Sequence, residues 1–250
     1  RLDAATGKTR CTYRAPSKTG QEELSWEFLT VTEDTVIGTL GNANIKRAWW
    51  SPAYPENVGL FALDKETGAL HWTYQAEDAI DSNGITCDGE RVFLIDGRPR
   101  YPLLKQPASR PRTLKALVLR SGAELWHATL RPFENSLWVC EGVLLTTINA
   151  SGPGANHDRV TAEAGGGVMA FSAKGGKLLW TLDKTDPVSP ILMDGVLYLP
   201  KAYDLHTGAP KTKRNPVTGE EYQAEIMMGS VGCSRLAACP NLVTARSGSL

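Results

Sequence analysis

The sequence lacks the features that mark several common classes of protein. It has no apolar run near the roughly 18 residues of a membrane-spanning helix, and no charged-then-apolar start typical of a secretory signal. Its five cysteines include no CxxC pair, which disfavours a zinc ribbon or a redox dithiol. Lys plus Arg equals Asp plus Glu at 27 each, so no net charge attracts nucleic acid or an anionic membrane. We therefore expect no nucleic-acid partner and no membrane span.

The common catalytic signatures are absent as well. The sequence contains no GxSxG, no HExxH, no Walker loop and no dinucleotide-binding fingerprint. A content of 42% hydrophobic and 22% charged residues is ordinary for a globular protein and excludes a disordered chain. Function must therefore be sought in the organisation of the fold.

The sequence does contain an internal repeat. Three segments, GLFALDKETGALHWTYQ, LKALVLRSGAELWHATL and GVMAFSAKGGKLLWTLD, align without a gap. Within them a tryptophan and a glycine recur every 54 residues, namely Trp72, Trp126 and Trp180 with Gly68, Gly122 and Gly176. We interpret the tryptophans as packing residues of an outermost strand. Cys11 follows Gly7 by the spacing of each Trp from its Gly, so it is predicted to replace that packing residue.

A second landmark is a polar-Gly pair between two apolar runs. The pairs are Asp88-Gly89, Glu141-Gly142 and Asp194-Gly195. Such pairs predict type I′ hairpin turns, because both central positions of that turn need positive φ. Apolar and polar residues alternate in RVFLID (91–96), and no stretch keeps a 3.6-residue period, so the chain is predicted to be all-β.

A four-stranded antiparallel unit that repeats about every 50 residues predicts a single β-propeller over residues 1–250. Its four-stranded blades are expected to number about four, with two half blades besides. The complete blades are predicted at approximately 25–75, 82–130, 135–183 and 188–224, and the half blades at 1–14 and 230–250. Because propellers commonly have four to eight blades, we expect a fragment of a larger ring. The alternative is that the two halves pair and close a fifth blade.

Topology predicts that all long loops lie on one face. In an up-and-down blade, the loop between strands two and three shares a face with the connection between blades, and both tight turns lie opposite. The long loops are 41–58, 97–113 and 149–166. Loops of this length are usually functional or disordered, so we expect the working surface on their face.

The first two loops carry the candidate binding residues. The first mixes aromatic and basic side chains, which suits a protein, a peptide or a glycan, and the second is basic without an acid, which suits a carboxylate or a phosphate. The alternatives are rings that only cover the rim and a solvated basic arm. The candidates are Lys46, Arg47, Trp49, Trp50, Tyr54, Arg98, Arg100 and Tyr101. No catalytic, cofactor-binding or metal-ligating residue is assigned.

One motif resembles a known family. LFALDKETGALHW (60–72) has an apolar strand ending in A-L-D, then x-x-T-G and a Trp, and AYDLHTG (202–208) and LDAATG (2–7) have its first half. This pattern resembles the PQQ-like repeat of the quinoprotein alcohol dehydrogenase-like propellers. The family includes dehydrogenases, which typically hold pyrroloquinoline quinone between a Trp and a disulfide of adjacent cysteines, and non-catalytic members such as the outer-membrane assembly lipoprotein. No Cys-Cys dipeptide occurs here, so the sequence is more similar to the second class.

The resemblance implies a function and a compartment. We expect a protein- or ligand-binding scaffold in a bacterial extracytoplasmic protein, periplasmic or at the cell surface, with no cofactor. The partner would be a protein, a peptide or a glycan on the long-loop face. The alternative is a fragment of a quinoprotein dehydrogenase that uses pyrroloquinoline quinone with Ca²⁺, with its cofactor residues outside this stretch.

Overall fold

The fold is described by a computed structural model. It describes residues 1–16, 26, 28–41, 57–97, 112–130, 136–147, 167–182, 190–226, 236–239 and 242–245. Over these residues the regular structure consists of antiparallel strands and the turns between them, without a helix, so the all-β prediction is confirmed. It follows that the described segments hold no helix able to cross a membrane.

The chain forms two compact units, Arg1–Arg100 with Leu104–Leu137, and Tyr101–Leu103 with Trp138–Leu250. The first unit holds one antiparallel sheet of seven strands in chain order. These strands are β1 (Leu29–Val31), β2 (Thr35–Gly41), β3 (Asn57–Asp64), β4 (Leu70–Cys87), β5 (Arg91–Asp96), β6 (Thr113–Val118) and β7 (Glu124–Thr129).

The long strand β4 differs from the sequence interpretation, which ends one strand at 75 and starts the next at 82. The structure has one strand over Leu70–Cys87, with a register shift between Ile80 and Ile85. Ile80 pairs with Asn57 of β3 on one side and with Asp96 of β5 on the other. Because the junction between the two predicted blades is itself paired, it stays extended and joins their strands in one sheet.

Most of the remaining strands lie in the second unit. A four-stranded antiparallel sheet is followed by a three-stranded sheet and two hairpins. The four strands are β8 (Ser136–Cys140), which spans the boundary between the units, β9 (Val143–Thr147), β10 (Val168–Ser172) and β11 (Leu178–Leu182). The others are β12 (Ile191–Met193), β13 (Val196–Leu199), β14 (Lys201–Asp204), β15 (Thr212–Arg214), β16 (Glu221–Gln223), β17 (Leu236–Cys239) and β18 (Leu242–Ala245).

Two of the three polar-Gly pairs form the expected turn. Glu141 and Gly142 have φ of 47° and 77°, and Asp194 and Gly195 have 50° and 68°, as a type I′ turn requires. The pair that begins at Asp88 differs, because only its glycine has positive φ. The Asp88 carboxylate accepts the backbone N–H groups of the second and third residues after it, at 3.1 and 2.9 Å, and this stabilises a longer loop.

The D-x-x-T-G motif is a turn stabilised by its own side chains. Oδ1 of Asp64 accepts the backbone N–H groups of Glu66 and Thr67 at 3.0 and 2.7 Å and the Thr67 hydroxyl at 2.8 Å, and these bonds lower the pKa of Asp64. Gly68 closes the turn in the left-handed region at φ 74°. The same bonds recur at Asp3–Gly7 and Asp204–Gly208, and those to the backbone amides recur at Asn215–Gly219.

Two turn glycines with positive φ, Gly122 and Gly208, are covered by a tryptophan ring. Trp72 donates its indole N–H to Leu119 O at 2.7 Å and covers Gly122 so closely that a Cβ there would lie 2.7 Å from its Cδ2. Trp180 likewise donates its indole N–H to Leu205 O at 3.0 Å, and a Cβ on Gly208 would lie 2.8 Å from Cδ2 of Trp180. Each ring therefore contacts the glycine turn of the following repeat. The third repeat tryptophan, Trp126, lies with its ring centroid 6.0 Å from that of Phe93.

The N-terminal segment contains an aromatic contact of the same kind, at a different residue from the one predicted. The Tyr13 hydroxyl donates to Lys65 O, and the Tyr13 ring lies against Gly68, where an added Cβ would be 3.4 Å away. Tyr13 thus takes the place of the tryptophan. The prediction for Cys11 is corrected: it lies two residues earlier and is a half-buried free thiol. A cysteine side chain is too short to reach both the carbonyl and the glycine.

Candidate functional site at the edge of the sheet that bears the long connections

In the first unit the two long connections begin and end on one row of paired residues. Segment 42–56 joins β2 to β3, and segment 98–111 joins β5 to β6. The residues that border them are paired successively across the sheet, in the order Gly41, Asn57, Ile80, Asp96, Thr113 and Thr129. Both connections therefore leave the sheet at the same end of its strands. This row of strand ends is called the loop edge below.

A buried carboxylate lies at the centre of the loop edge. Asp96 ends β5 and is 4% exposed. Its Oδ2 accepts the Tyr74 hydroxyl at 2.7 Å and the Glu77 amide at 2.9 Å, and its Oδ1 accepts the Asp78 amide at 3.1 Å. Burial, together with this bond to Asp96, raises the pKa of Tyr74, so the phenol stays protonated and acts as a donor. The Asp96 side chain thus fastens the middle of β4 to the end of β5.

A buried lysine lies beside this carboxylate. Lys115, on β6, is 7% exposed, and its Nζ lies 2.5 Å from Oε1 of Glu77 and 3.5 Å from Oε2 of Glu124. The Nζ also lies 5.6 Å from the centroid of the Tyr74 ring. Burial acts to lower the pKa of Lys115, but the hydrogen bonds to Glu77 and Tyr74 outweigh burial and raise it. Lys115 therefore remains charged and links β6 to β4.

The ends of the connections are pinned by buried polar side chains. Asn57 is fully buried and donates through Nδ2 to Ile80 O at 2.9 Å and to Ser82 Oγ at 3.1 Å. Arg112 is 2% exposed and donates through Nε to Gly97 O at 3.1 Å, which closes the base of segment 98–111. Gly97 has φ 123°, and a Cβ there would lie 3.1 Å from Cα of Arg112, so both the conformation and the space require glycine.

This arrangement fixes positions. The carboxylate oxygens of Asp96 and the ammonium of Lys115 are engaged by protein groups, and buried charges that are paired in this way hold elements together. Within the described segments, no three His, Cys, Asp or Glu side chains come together as a metal site. What the cluster can do is hold the bases of two long connections in a fixed relation.

The eight predicted binding residues, Lys46 to Tyr101, lie outside the described residues. The structure instead shows the framework from which their segments leave. Sequence reasoning missed Asn57, Asp96 and Lys115. Two signals could have found the last two: a lysine within the apolar strand LKALVL, and an aspartate that ends the apolar run RVFLI at the start of a long loop. Nothing in the pattern distinguishes Asn57 from an ordinary loop residue.

Comparison with known proteins gives one family match. Residues 110–209 match the family described as outer membrane protein assembly factor BamB. No curated protein matches the chain.

Among solved structures, BamB from Moraxella catarrhalis is 15% identical with a TM-score of 0.49, and the match covers 87% of this chain and 53% of that one. The computationally designed Ika8 protein is 12% identical (TM-score 0.44; 75% and 46% covered). Quinohemoprotein alcohol dehydrogenase from Comamonas testosteroni is 16% identical (TM-score 0.38; 62% and 20% covered). The chain thus spans about half the length of the BamB structure.

The family match falls on the part of the chain that contains two of the three gapless repeats and the motif AYDLHTG. The predicted resemblance to the PQQ-like repeat family is therefore confirmed over residues 110–209, which match the model described by BamB.

Proposed function

We propose that this chain is a non-catalytic PQQ-like β-propeller module that binds a protein partner in a bacterial extracytoplasmic setting. The observation that carries the proposal is the BamB family match over residues 110–209. By its description that family assembles outer membrane proteins, which is work done through protein contacts. A scaffold that receives a protein, a peptide or a glycan is consistent with the contacts of the loop edge.

The proposed blade is a four-stranded antiparallel sheet. The sheet of β8, β9, β10 and β11 is one such unit. The seven-stranded sheet corresponds to two units that share β4, whose first half pairs with β3 and whose second half pairs with β5. The three-stranded sheet of β12, β13 and β14 is a fourth unit, so we propose about four blades in the chain.

The proposed binding surface is the loop edge with the segments that leave it. Trp49 and Trp50 are the proposed anchors, because aromatic side chains dominate the energy of protein interfaces. The buried contacts of Asp96 and Arg112 support this assignment. Burying polar and charged groups is costly, and here the contacts of Asp96 and Arg112 fix the base of segment 98–111, while those of Asn57 fix the base of segment 42–56.

Removal of the anchors tests the proposal. The variant carrying Trp49→Ala and Trp50→Ala should bind a purified outer membrane protein assembly complex at least about tenfold more weakly than the unmodified chain, measured by surface plasmon resonance. The matched control is Leu125→Ala, which removes a half-exposed apolar side chain from β7. Unchanged binding by the double tryptophan variant, or an equal loss in the control, contradicts the proposed surface.

A cofactor titration tests the non-catalytic assignment separately. Pyrroloquinoline quinone with Ca²⁺ is added to the chain, its absorption spectrum is followed, and an alcohol is then supplied with an electron-accepting dye. The expected result is an unchanged quinone spectrum and no dye reduction. Saturable binding followed by alcohol-dependent dye reduction would establish a dehydrogenase and overturn the proposal.

A further inference from the structure

The outer strand of the repeat that contains β12, β13 and β14 is interrupted by a hairpin. Lys211 donates its amide to Ala202 O at 2.9 Å, and Ala202 donates its own amide to Ala224 O at 2.7 Å. Isolated pairs on either side complete this strand position, Tyr203 with Pro210 and Lys201 with Glu225. Residues before 212 and after 223 thus lie beside β14, and the residues between them, β15 and β16 with their turn, are inserted. This inserted segment, 212–223, is called the hairpin below.

The hairpin starts at the position where the other repeats carry their packing tryptophan. The hairpin begins at Thr212, four residues after Gly208, and this is the spacing at which a tryptophan follows the glycine in the three gapless repeats. In the repeat of Trp180 that residue contacts the next glycine turn. Here the packing residue is replaced by an element that leaves the sheet, so the hairpin is not needed to build the repeat.

The hairpin is held in shape by its own turn. Asn215 Oδ1 accepts the amides of Val217 and Thr218 at 2.8 and 3.2 Å, and Arg214 donates Nε to Gly219 O at 2.9 Å. Its side chains are nevertheless largely exposed: Val217 at the turn is 91% exposed, and Tyr222 on β16 is 48% exposed. A segment that is ordered locally yet exposed loses little conformational entropy when it binds a partner.

One edge of strand β15 pairs with no other strand of the described residues. Across the hairpin, Ala224 donates its amide N–H to Lys211 O, and Asn215 donates its amide N–H to Glu220 O. These two bonds show which residues of each strand face the other strand. Because bonding alternates along an antiparallel pair, Thr212 and Arg214 direct their N–H and C=O groups away from β16. Among the residues that the structure describes, β15 and β16 form a two-stranded sheet. A free edge of this kind is a template for a further strand.

Charge restricts which strand this edge can receive. Three basic residues lie in or next to β15, and three acidic residues lie in or near β16. They are Lys211, Lys213 and Arg214, and Glu220, Glu221 and Glu225. Lys211 is paired with Asp204 at 2.9 Å, whereas Lys213 forms no ion pair within the described part of the chain. Lysine on an edge opposes pairing with apolar or basic strands and favours an acidic residue opposite.

We propose that the free edge of β15 binds an extended acidic segment of a partner protein by strand addition. The backbone groups of Thr212 and Arg214 form the ladder, and Lys213 pairs with a carboxylate of the added strand. This surface is distinct from the loop edge, and its test does not depend on the function proposed there.

Hydrogen exchange with synthetic peptides tests the proposal. The probe is a peptide of about ten residues that alternates Thr and Glu, and its control alternates Thr and Lys. The acidic peptide is expected to bind saturably to the full chain and to slow exchange of the Thr212 and Arg214 amides at least about tenfold. Equal binding of the two peptides, or unchanged exchange at these amides in the bound state, overturns it.

Variants of the two edges separate strand addition from general charge attraction. Thr212→Pro removes an N–H group of β15 that points away from β16. Lys213→Glu reverses the charge at this edge without altering the backbone. Each variant should bind the acidic peptide at least about tenfold more weakly. The matched control Glu221→Pro removes an outward N–H from β16 and should leave the affinity within about twofold. Equal weakening by Glu221→Pro, or unchanged affinity for Lys213→Glu, refutes the proposal. Sedimentation of the peptide-free chain that shows Lys213-dependent self-association also refutes it, because a second copy would then occupy the edge.

Discussion

Gly122→Ala tests the contact between successive repeats, because Gly122 meets two independent requirements. Its φ of 69° is in the left-handed region, where a Cβ costs about 1–2 kcal/mol. Its Cβ would also lie 2.7 Å from Cδ2 of Trp72, and relief of such an overlap in a packed site costs about 1–3 kcal/mol. We therefore expect Gly122→Ala to lower the free energy of unfolding by about 2–5 kcal/mol.

Gly89→Ala is the matched control in the same sheet. Gly89 has φ 89°, but a Cβ there would meet nothing within 4 Å, so only the backbone cost of about 1–2 kcal/mol applies. Urea denaturation followed by circular dichroism measures both variants. The difference between them, about 1–3 kcal/mol, is the cost of the overlap between the new methyl group and the Trp72 ring.

A double-mutant cycle completes this test. In a Trp72→Ala background the ring that opposes the new methyl is absent, so Gly122→Ala should cost only as much as Gly89→Ala. If Gly122→Ala costs no more than the control in the unmodified chain, or its cost is the same with and without Trp72, the ring-on-glycine contact does not stabilise the fold as argued.

Three further predictions concern the loop edge, the N-terminal segment and the second unit. Asp96→Asn leaves at least one buried donor without its acceptor and should cost about 1–3 kcal/mol in urea denaturation, and an unchanged midpoint would contradict the role given to this carboxylate. Tyr13→Ala should destabilise the chain by about 2 kcal/mol more than Cys11→Ala, because the ring and not the thiol covers the glycine turn; equal effects would restore the original assignment. Hydrogen bonds from Lys211 and Thr207 lower the pKa of Asp204 to about 2, below its value in the unfolded chain, so its stabilising contribution is complete above about pH 4 and is lost as the pH falls through about 2. Lys211→Gln should raise the Asp204 pKa in an NMR titration, and an unshifted titration would show that the lysine contact is not formed.

Much of the local structure could be predicted from the sequence because it depends on short-range chemistry. The strand RVFLID and the turns at Glu141 and Asp194 follow from alternation and from the φ preferences of Gly. Where a side chain could form a competing bond the prediction failed: Asp88 caps its own loop and so prevents the two-residue turn.

Other features depend on contacts between distant segments, which spacing alone does not encode. Tyr13 replaces the repeat tryptophan at a spacing two residues longer, and Asp96 fastens β4 through main-chain groups that no motif marks. The inserted hairpin was missed although Asn215–Gly219 repeats the turn motif, because asparagine stands in place of aspartate. The predicted Trp49 and Trp50 lie outside the described residues, so their role as anchors stays a prediction.

The most direct test of the central claim, that the loop edge is the binding surface, is site-specific photo-crosslinking in a bacterial envelope. A photoreactive residue is placed at Trp50, within segment 42–56, and in a second variant at Glu90, an exposed residue of the loop between β4 and β5. Crosslinks to an outer membrane assembly protein from the Trp50 position, and none from the Glu90 position, are the predicted result. Equal crosslinking from both positions, or crosslinking from Glu90 alone, would contradict the account.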